Sequence, residues 1–162
     1  MYHSKIRELR ADEIGVLDDL LYEAIFQPDE SNLLPRDIIK QPEISVYTDD
    51  FGKTDDCCLV AEMNGKITGA VWTRILAGKV KGYGNIDDST PEFAIALFKE
   101  YRNQGIGTQL MKAMILHLQE KGYKQTSLSV AKNNYAFKMY KKLGFKIIAE
   151  QEHDYLMVLQ LK

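Results

Sequence analysis

One short turn constrains this chain more than any other feature, because it joins an apolar strand to an amphipathic helix through two glycines. Residues 93–98 form an apolar run of strand length, and apolar residues recur at helical spacing over residues 105–121. Gly105 and Gly107 let the backbone turn tightly and approach a ligand closely. The first amides of the helix have no intrahelical partner and lie at its positive end. The turn therefore predicts a phosphate-binding site.

The residues of this turn exclude two common nucleotide-binding motifs. A P-loop requires Lys followed by Ser or Thr after its second glycine, whereas Thr108 and Gln109 stand there. A dinucleotide-binding fingerprint requires a third small residue three positions after Gly107 and an acidic residue near the end of the next strand. Leu110 and Val130 occupy roughly those places. The predicted phosphate site therefore belongs to neither class.

The remaining periodicities predict an α/β order of elements in one domain spanning residues 1–162, a length that suits a single core. Asn64-Gly65 between two apolar runs is a strong signal for a hairpin turn. The predicted strands cover residues 4–10, 59–63, 67–75, 93–98, 125–130, 146–151 and 155–161. The predicted helices cover residues 12–25 with Asp12 as the cap, 35–40, 105–121 and 134–143.

Composition argues against several classes of protein. The chain is 45% hydrophobic and 27% charged, which is ordinary for a globular protein. It starts without the apolar run of a signal peptide, and charges interrupt each later stretch, so we expect a cytoplasmic protein with no membrane partner. Cys57 and Cys58 are adjacent, which favours reduced strand residues over a disulfide framework or a metal site. The basic residues form no aromatic-interleaved patch for nucleic acid.

Charge is distributed unevenly along the chain, although the net charge is only -2. Residues 1–60 carry 6 Lys and Arg against 14 Asp and Glu, and the remaining residues carry 15 against 9. An acidic half beside a basic half suits a cationic substrate that meets a polyphosphate cofactor. Solvated surface is an equally good explanation, and the sequence does not choose between the two.

Two motifs resemble those of the GNAT superfamily of N-acetyltransferases. The family's coenzyme A loop reads Arg or Gln, two residues, Gly, one residue, Gly or Ala, and it is matched by Arg102, Gly105 and Gly107. The second motif, an Asn seven residues before a Tyr with Leu-Gly-Phe soon after, is matched by Asn133, Tyr140 and residues 143–145. The resemblance implies the GNAT α/β fold. In that fold a mixed, mostly antiparallel sheet of six to seven strands is flanked by helices and splayed between strands four and five.

The resemblance further implies acetyl-coenzyme A as the cofactor, with its pantetheine arm in the gap between the splayed strands. Ligands gather at the carboxyl ends of parallel strands, which agrees with this placement. By carry-over, the cofactor-binding residues are Ile95, Ala96, Leu97, Arg102, Asn103, Gln104, Gly105, Ile106, Gly107, Thr108, Asn133 and Ala136. Lys138, Lys141 or Lys142 either meets the adenosine phosphate or belongs to a solvated helix face.

The family's chemistry implies that an amine attacks the thioester directly in a ternary complex, with no covalent enzyme intermediate and no metal. Tyr140 is the candidate general acid, because a Tyr hydroxyl of pKa about 10 can protonate a thiolate whose conjugate acid has a pKa of about 8.5. The alternative is a buried aromatic residue. In some members of the family a carboxylate on the fifth strand lies a few residues before the Asn, but residues 126–130 contain none here. Glu92, at the mouth of strand four, is the candidate base instead, and its alternative is a solvated glutamate at a strand end. Backbone amides near Leu97 would stabilise the oxyanion.

The sequence says less about the acceptor than about the cofactor. Position in the first helix or in loops suggests four contacts, namely Tyr22, Glu23, Tyr83 and Asn85. The resemblance adds His153 near the last hairpin, where this family often shapes the acceptor pocket, and a strand-end residue is an equally good interpretation. The acceptor is a small-molecule amine or a peptide or protein amine, and the resemblance implies a homodimer, since dimers are common in such proteins. A second class of function also fits, an acyl-coenzyme A sensor that binds the cofactor without turnover.

Overall fold

A seven-stranded mixed sheet forms the centre of the protein, and the computed structural model describes residues 4–161. Its strands are β1 Lys5–Glu8, β2 Cys57–Met63, β3 Lys66–Arg74, β4 Glu92–Leu97, β5 Gln125–Ala131, β6 Lys146–Glu150 and β7 Asp154–Gln160. The helices are α1 Val16–Ala24, α2 Pro42–Ser45, α3 Ile106–Glu120 and α4 Ala136–Lys142. Short 3₁₀ turns cover Ala11–Glu13, Arg36–Lys40 and Lys99–Tyr101. No helix within residues 4–161 is long and apolar enough to cross a membrane.

The predicted β2–β3 hairpin is confirmed at its turn. Asn64 and Gly65 have φ angles of 52° and 78°, which are the positive values that a two-residue turn requires. The predicted start of the first helix at Asp12 is wrong. The Glu13 carboxylate accepts hydrogen bonds from the Arg7 guanidinium and from the Arg10 amide, so residues 11–13 form a separate 3₁₀ turn. Helix α1 therefore begins only after Gly15.

The sheet has the order β1-β2-β3-β4-β5-β7-β6, and β4–β5 is its one parallel neighbour pair among the described residues. These two strands pair at a single position, Glu92 opposite Ser127. The Pro91 carbonyl oxygen accepts hydrogen bonds there from the Ser127 amide at 3.0 Å and from the Thr126 hydroxyl at 2.7 Å. Beyond that position the strands no longer pair. The predicted fold class and its splay between strands four and five are confirmed.

Side chains on the two faces of β4 belong to different cores. Phe93, Ile95 and Leu97 face the cluster built by α3 and α4, in which Leu110, Met111 and Met114 are fully buried. Ala94 and Ala96 face the cluster built by α1 around Trp72. Because side chains alternate along a strand, Glu92 lies on the α1 face.

A buried ion pair fixes the irregular segment between α2 and β2 to the sheet. The Arg74 guanidinium lies 3.0 Å from Asp56 Oδ1, and both side chains are only 4% exposed. Arg74 also donates to the Val46 carbonyl at 2.9 Å, and Asp56 accepts from the amides of Gly52 and Lys53. This network holds residues 46–56 against β3, so it also sets the position of the neighbouring α2 segment.

We expect Arg74→Met to lower the free energy of unfolding by about 3 kcal/mol, because the Asp56 carboxylate then remains buried without a cation. Urea unfolding monitored by circular dichroism measures this change. The matched control is Arg36→Met, whose partner Asp19 and whose own side chain are 55% and 57% exposed. Loss of that surface pair should cost less than about 1 kcal/mol. Equal destabilisation of the two variants would contradict the assignment of Arg74 as the anchor.

Candidate functional site

The splay between β4 and β5 opens a cleft of about 1340 Å³. Residues 94–97 of β4 form one wall and residues 128–131 of β5 form another. The start of α3, the inner side of α4 and the segment 23–31 after α1 complete the cleft. A ligand in this space would therefore touch both strands, two helices and the α1 segment.

The edge of β4 that faces the cleft carries free backbone groups. The Phe98 amide donates to the Thr68 carbonyl at 3.0 Å, and backbone bonding alternates along an antiparallel pair. The amide and carbonyl of Ala96 therefore point to β3, whereas those of Ile95 and Leu97 point into the gap. The Leu97 carbonyl accepts one bond from Arg102 Nε at 3.1 Å. The remaining groups can pair with an extended ligand that contains amides.

The start of α3 presents a row of amides without acceptors. Asn103 and Gly105 adopt left-handed φ angles of 63° and 85°, which turn the chain sharply into the helix. Within residues 4–161 the amides of residues 103–108 find no acceptor, and the Gln109 amide is the first to bond, to the Gly105 carbonyl at 3.2 Å. A Cβ at Gly107 would come no closer than 3.8 Å to the surrounding side chains, so space remains above the helix start. The arrangement fits a phosphate group.

Arg102 forms an ion pair with Glu23 at the wall of the cleft. Its guanidinium lies 2.9 Å from Glu23 Oε1 and also donates to the Leu97 carbonyl. Glu23, predicted as an acceptor contact, is thus placed in an ion pair that joins the end of α1 to the turn before α3. Both residues line the cleft.

Glu92 is enclosed at the point where β4 and β5 meet, and its side chain is only 2% exposed. The Tyr47 hydroxyl donates to Glu92 Oε2, and the Gly84 amide donates to the same oxygen at 2.9 Å. Glu92 Oε1 has no partner among the described residues. The alternative prediction of a solvated strand-end glutamate is therefore wrong.

Two glycines allow a loop to pack directly on this carboxyl group. A Cβ at Gly82 would lie 2.0 Å from Glu92 Oε1, and a Cβ at Gly84 would lie 2.9 Å from Oε2. The Ser127 hydroxyl donates to the Gly84 carbonyl at 2.6 Å and holds the loop in place. Burial raises the pKa of Glu92 to about 7, against the opposing effect of the Tyr47 and Gly84 hydrogen bonds. The carboxyl group can therefore exchange a proton near neutral pH.

Tyr140 lines the opposite part of the cleft, on the α3 and α4 side of the sheet. Its ring packs edge-on against Phe145 with centroids 6.1 Å apart, and the residue is 7% exposed. Its hydroxyl makes no hydrogen bond to residues 4–161, and burial raises its pKa. The ring is thus buried while the residue still borders the cleft. The acid role of Tyr140 stays a prediction.

Most of the predicted site residues line the cleft, namely Glu23, Tyr83, Glu92, Ile95, Ala96, Leu97, Arg102, Asn103, Gly105, Gly107, Thr108, Ala136 and Tyr140. The side chains of six others do not, namely Tyr22, Asn85, Gln104, Ile106, Asn133 and His153. The Tyr22 hydroxyl bonds the Leu34 carbonyl at 2.6 Å, Asn85 bonds the Asp87 carbonyl, and Ile106 is 3% exposed in the core. Gln104 bonds the Glu100 carbonyl, and Asn133 and His153 are exposed.

Several residues of the cleft were not predicted from the sequence. Asn134, next to the predicted Asn133, lines it and accepts a bond from the Ala136 amide at 2.9 Å. Tyr47 gave no signal because it lies in the least periodic segment of the chain. The spacing of Gly82 and Gly84 before a strand was an available sign of close packing.

Within the described residues no three His, Cys, Asp or Glu side chains cluster as metal ligands.

A model of the Acetyltransferase (GNAT) family matches residues 20–145. The chain belongs to the GNAT family. This match contains the second half of α1, both strands of the splay and the whole row of free amides, so the family assignment and the cleft coincide.

One curated relative of this GNAT protein is an N-alpha-acetyltransferase of Sulfurisphaera tokodaii, with 33% identity over 100 residues. The match covers 59% of this chain and 60% of that relative. It therefore leaves about two fifths of each protein outside the comparison.

Solved structures share the fold at low sequence identity. An acetyl-CoA complex of yncA from Salmonella typhimurium has a TM-score of 0.72 and 16% identity over 99% of this chain and 95% of that one. The paia N-acetyltransferase of Thermoplasma acidophilum, solved with coenzyme A, has a TM-score of 0.67 and 20% identity, with 98% and 99% covered. The ribosomal-protein-S18-alanine N-acetyltransferase of Escherichia coli has a TM-score of 0.68 and 16% identity, with 99% and 95% covered.

The raised pKa of Glu92 predicts how the stability of this GNAT protein depends on pH. The folded value is about 7 and the ordinary value 4.5. Between these values the unfolded chain releases the proton while the folded chain keeps it, so stability falls as pH rises, by about 3 kcal/mol in total. Glu92→Gln has no ionisable group at this position, so its free energy of unfolding should not show this decrease with pH.

Urea unfolding of the wild type and of Glu92→Gln from pH 4.5 to 7.5 measures the effect. Subtracting one curve of unfolding free energy against pH from the other cancels the contributions of the other titrating groups. The difference should grow in favour of the variant across the window. Parallel curves would show that Glu92 ionises in the folded protein as it does in the unfolded one.

Proposed function

We propose that this protein is an acetyl-CoA-dependent N-acetyltransferase that acetylates a primary amine by direct attack in a ternary complex. The observation that carries the proposal is the row of free amides at residues 103–108, which opens into the same cleft as Glu92 and Tyr140. The family assignment supports the class of reaction. The yncA and paia structures support the cofactor, since the first was solved with acetyl-CoA and the second with coenzyme A.

The cleft suits coenzyme A along its whole length. Amides of residues 103–108 would hold the pyrophosphate, and the free backbone edge at Ile95 and Leu97 would pair with the amides of the pantetheine arm as an additional strand would. The bound cofactor supplies an activated acetyl thioester. The Leu97 amide points into the gap, where it can donate to the thioester carbonyl oxygen as negative charge develops.

Glu92 is proposed as the general base. An alkylammonium has a pKa of about 10.4 and must lose a proton before its nitrogen can attack. The pKa of Glu92, raised to about 7 by burial, makes its carboxylate a stronger proton acceptor than an exposed glutamate and leaves it largely ionised above neutral pH. The proton passes from the amine to Glu92 directly or through water.

Tyr140 is proposed as the general acid for the departing thiolate. Burial raises the pKa of its hydroxyl, so the group stays protonated at neutral pH until the sulfur takes the proton. It borders the cleft beside Met139, on the sheet face opposite Glu92. The amine would therefore approach from the α1 side, and the thiol would leave on the α3 and α4 side.

The test is release of the coenzyme A thiol from acetyl-CoA across a panel of amines, with peptide amino termini first because the Sulfurisphaera relative is named for that acceptor. Polyamines, amino acids and aminoglycosides complete the panel. Acceptor-dependent thiol release, with the acetylated product seen by mass spectrometry, supports an enzyme. Tight binding of acetyl-CoA without release for any acceptor would favour a sensor instead.

We expect Gly107→Asp to weaken acetyl-CoA binding by at least about 100-fold, because a carboxylate then occupies the space beside the amides that would meet the diphosphate. An acidic residue in the first turn of a helix does not destabilise the helix, so the protein should stay folded. Isothermal titration calorimetry measures the dissociation constant. Gln109→Asp adds the same charge two residues later at an exposed position off the cleft, and should keep its affinity. Equal affinities for the two variants would remove the helix start from the binding site.

Tyr140→Phe should lower kcat by about 100-fold or more, since a positioned proton donor contributes about that factor. The dissociation constant for acetyl-CoA should stay the same, because the ring and its packing against Phe145 are retained. The control is Tyr101→Phe, which removes a hydroxyl from a half-buried ring that packs on the same core but does not line the cleft. Full turnover by the Tyr140 variant with its true acceptor would rule out the acid role.

A further inference from the structure

Tyr47 lies in the turn after α2, and buried side chains of the core hold it at the site. The Trp72 indole, which is fully buried, donates to the Tyr47 carbonyl at 3.0 Å. The buried Arg74 guanidinium bonds the adjoining Val46 carbonyl at 2.9 Å. Two side chains of β3 therefore fix the backbone from which the Tyr47 ring reaches into the cleft.

The direction of the Tyr47 hydroxyl proton follows from its two partners. The Tyr83 amide donates to the hydroxyl oxygen at 2.8 Å, so that bond uses a lone pair of the oxygen. The single hydroxyl proton is then directed at Glu92 Oε2, which also accepts from the Gly84 amide. These two donors stabilise the ionised carboxylate at Oε2. Oε1 has no partner in the described residues and is buried beneath Gly82, where a Cβ would lie 2.0 Å from it, so a molecule in the cleft does not reach this oxygen.

We propose that Tyr47 is a positioning residue that, together with the Gly84 amide, holds Glu92 Oε2 and stabilises the ionised carboxylate that receives the proton of the acceptor amine. The proposal rests on the proposed function for its kinetic test, and on the hydrogen bonds to Oε2 for the role of Tyr47. The proton of the ammonium passes to the carboxylate directly or through water, and the N–H electron pair stays on nitrogen.

No cation pairs with Glu92 among the described residues, so neutral hydrogen-bond donors stabilise its ionised form. On β3, Arg74 stands opposite Glu92 in the register, but its guanidinium bonds Asp56 and the Val46 carbonyl. On β5 the neighbour is the neutral Ser127, and from the loop the Tyr83 phenol is 57% exposed. The carboxylates of Glu43 and Asp154 lie near enough to raise the pKa of Tyr83, yet they have no resolved effect on Glu92. Removal of the Tyr47 hydroxyl should therefore raise the pKa of Glu92 further.

The experiment compares Tyr47→Phe with the wild type over pH 5 to 10. We expect the acidic limb of the kcat/KM profile to move up by about one to two pH units, because a hydrogen bond to a charged group is worth about that much. The rate at neutral pH should fall about tenfold or more and recover at high pH, with KM for acetyl-CoA unchanged. A merely structural role for Tyr47 would lower the rate at every pH.

The matched control is Tyr123→Phe. The Tyr123 hydroxyl also donates to a carboxylate, that of Asp55, but it lies outside the cleft. Its removal should leave the acidic limb in place. A second variant carries 3,5-difluorotyrosine at position 47, which keeps the ring and is a stronger donor. It should shift the limb downward, the opposite direction to Tyr47→Phe.

A measurement without turnover separates this proposal from the proposed function. Carbon-13 NMR of the glutamate carboxyl groups, with the Glu92 signal assigned by its loss in Glu92→Gln, titrates the group directly. A higher Glu92 pKa in Tyr47→Phe than in the wild type supports the positioning role even if no amine is acetylated. Equal values in the two proteins, or an acidic limb that does not move, would overturn it.

Discussion

The structure depends on the single place where β4 and β5 meet. The Pro91 carbonyl, bonded by the Ser127 amide and the Thr126 hydroxyl, joins two antiparallel half-sheets into one sheet and then lets them separate. If the strands paired along their whole length, the backbone groups of Ile95 and Leu97 would be consumed and the cleft would not exist. If they did not pair at all, Glu92 would lose the enclosure that sets its proton affinity. One short junction thus provides both the opening and the buried carboxyl at its base.

The two faces of the sheet divide the proposed chemistry between them. Side chains alternate along β4, so Glu92 shares its face with α1 and Tyr47, whereas Tyr140 belongs to the core under α3 and α4. The backbone edge of β4 lies between these faces and is available to both. In the proposed reaction, a proton acceptor on one side acts on the amine nitrogen and a proton donor on the other acts on the departing sulfur, so the two groups do not exchange a proton directly with each other.

The sequence predicted the parts of the site that depend on local backbone chemistry, and missed those that depend on long-range packing. Gly105, Gly107 and the apolar runs around them identify a strand, a turn and a helix start, because positive φ angles and helical spacing are local properties. Tyr47 reaches Glu92 across 45 positions of the chain, and no local pattern records that contact. Asn133 and Asn134 are adjacent and chemically identical, so only the geometry of the turn before α4 distinguishes the one that borders the cleft. The start of α1 was misplaced because Arg7 on β1 captures Glu13.

The ion pair between Arg102 and Glu23 has a consequence for how such a protein can change. Arg102 begins the turn whose amides point into the cleft, and Glu23 stands at the end of α1, where the wall formed by residues 23–31 begins. The ion pair therefore connects these two parts of the cleft. If the proposed function holds, substitutions in α1 that admit a different amine would also shift the turn that the proposal assigns to the diphosphate, so new acceptors in this scaffold should come with correlated changes in cofactor affinity.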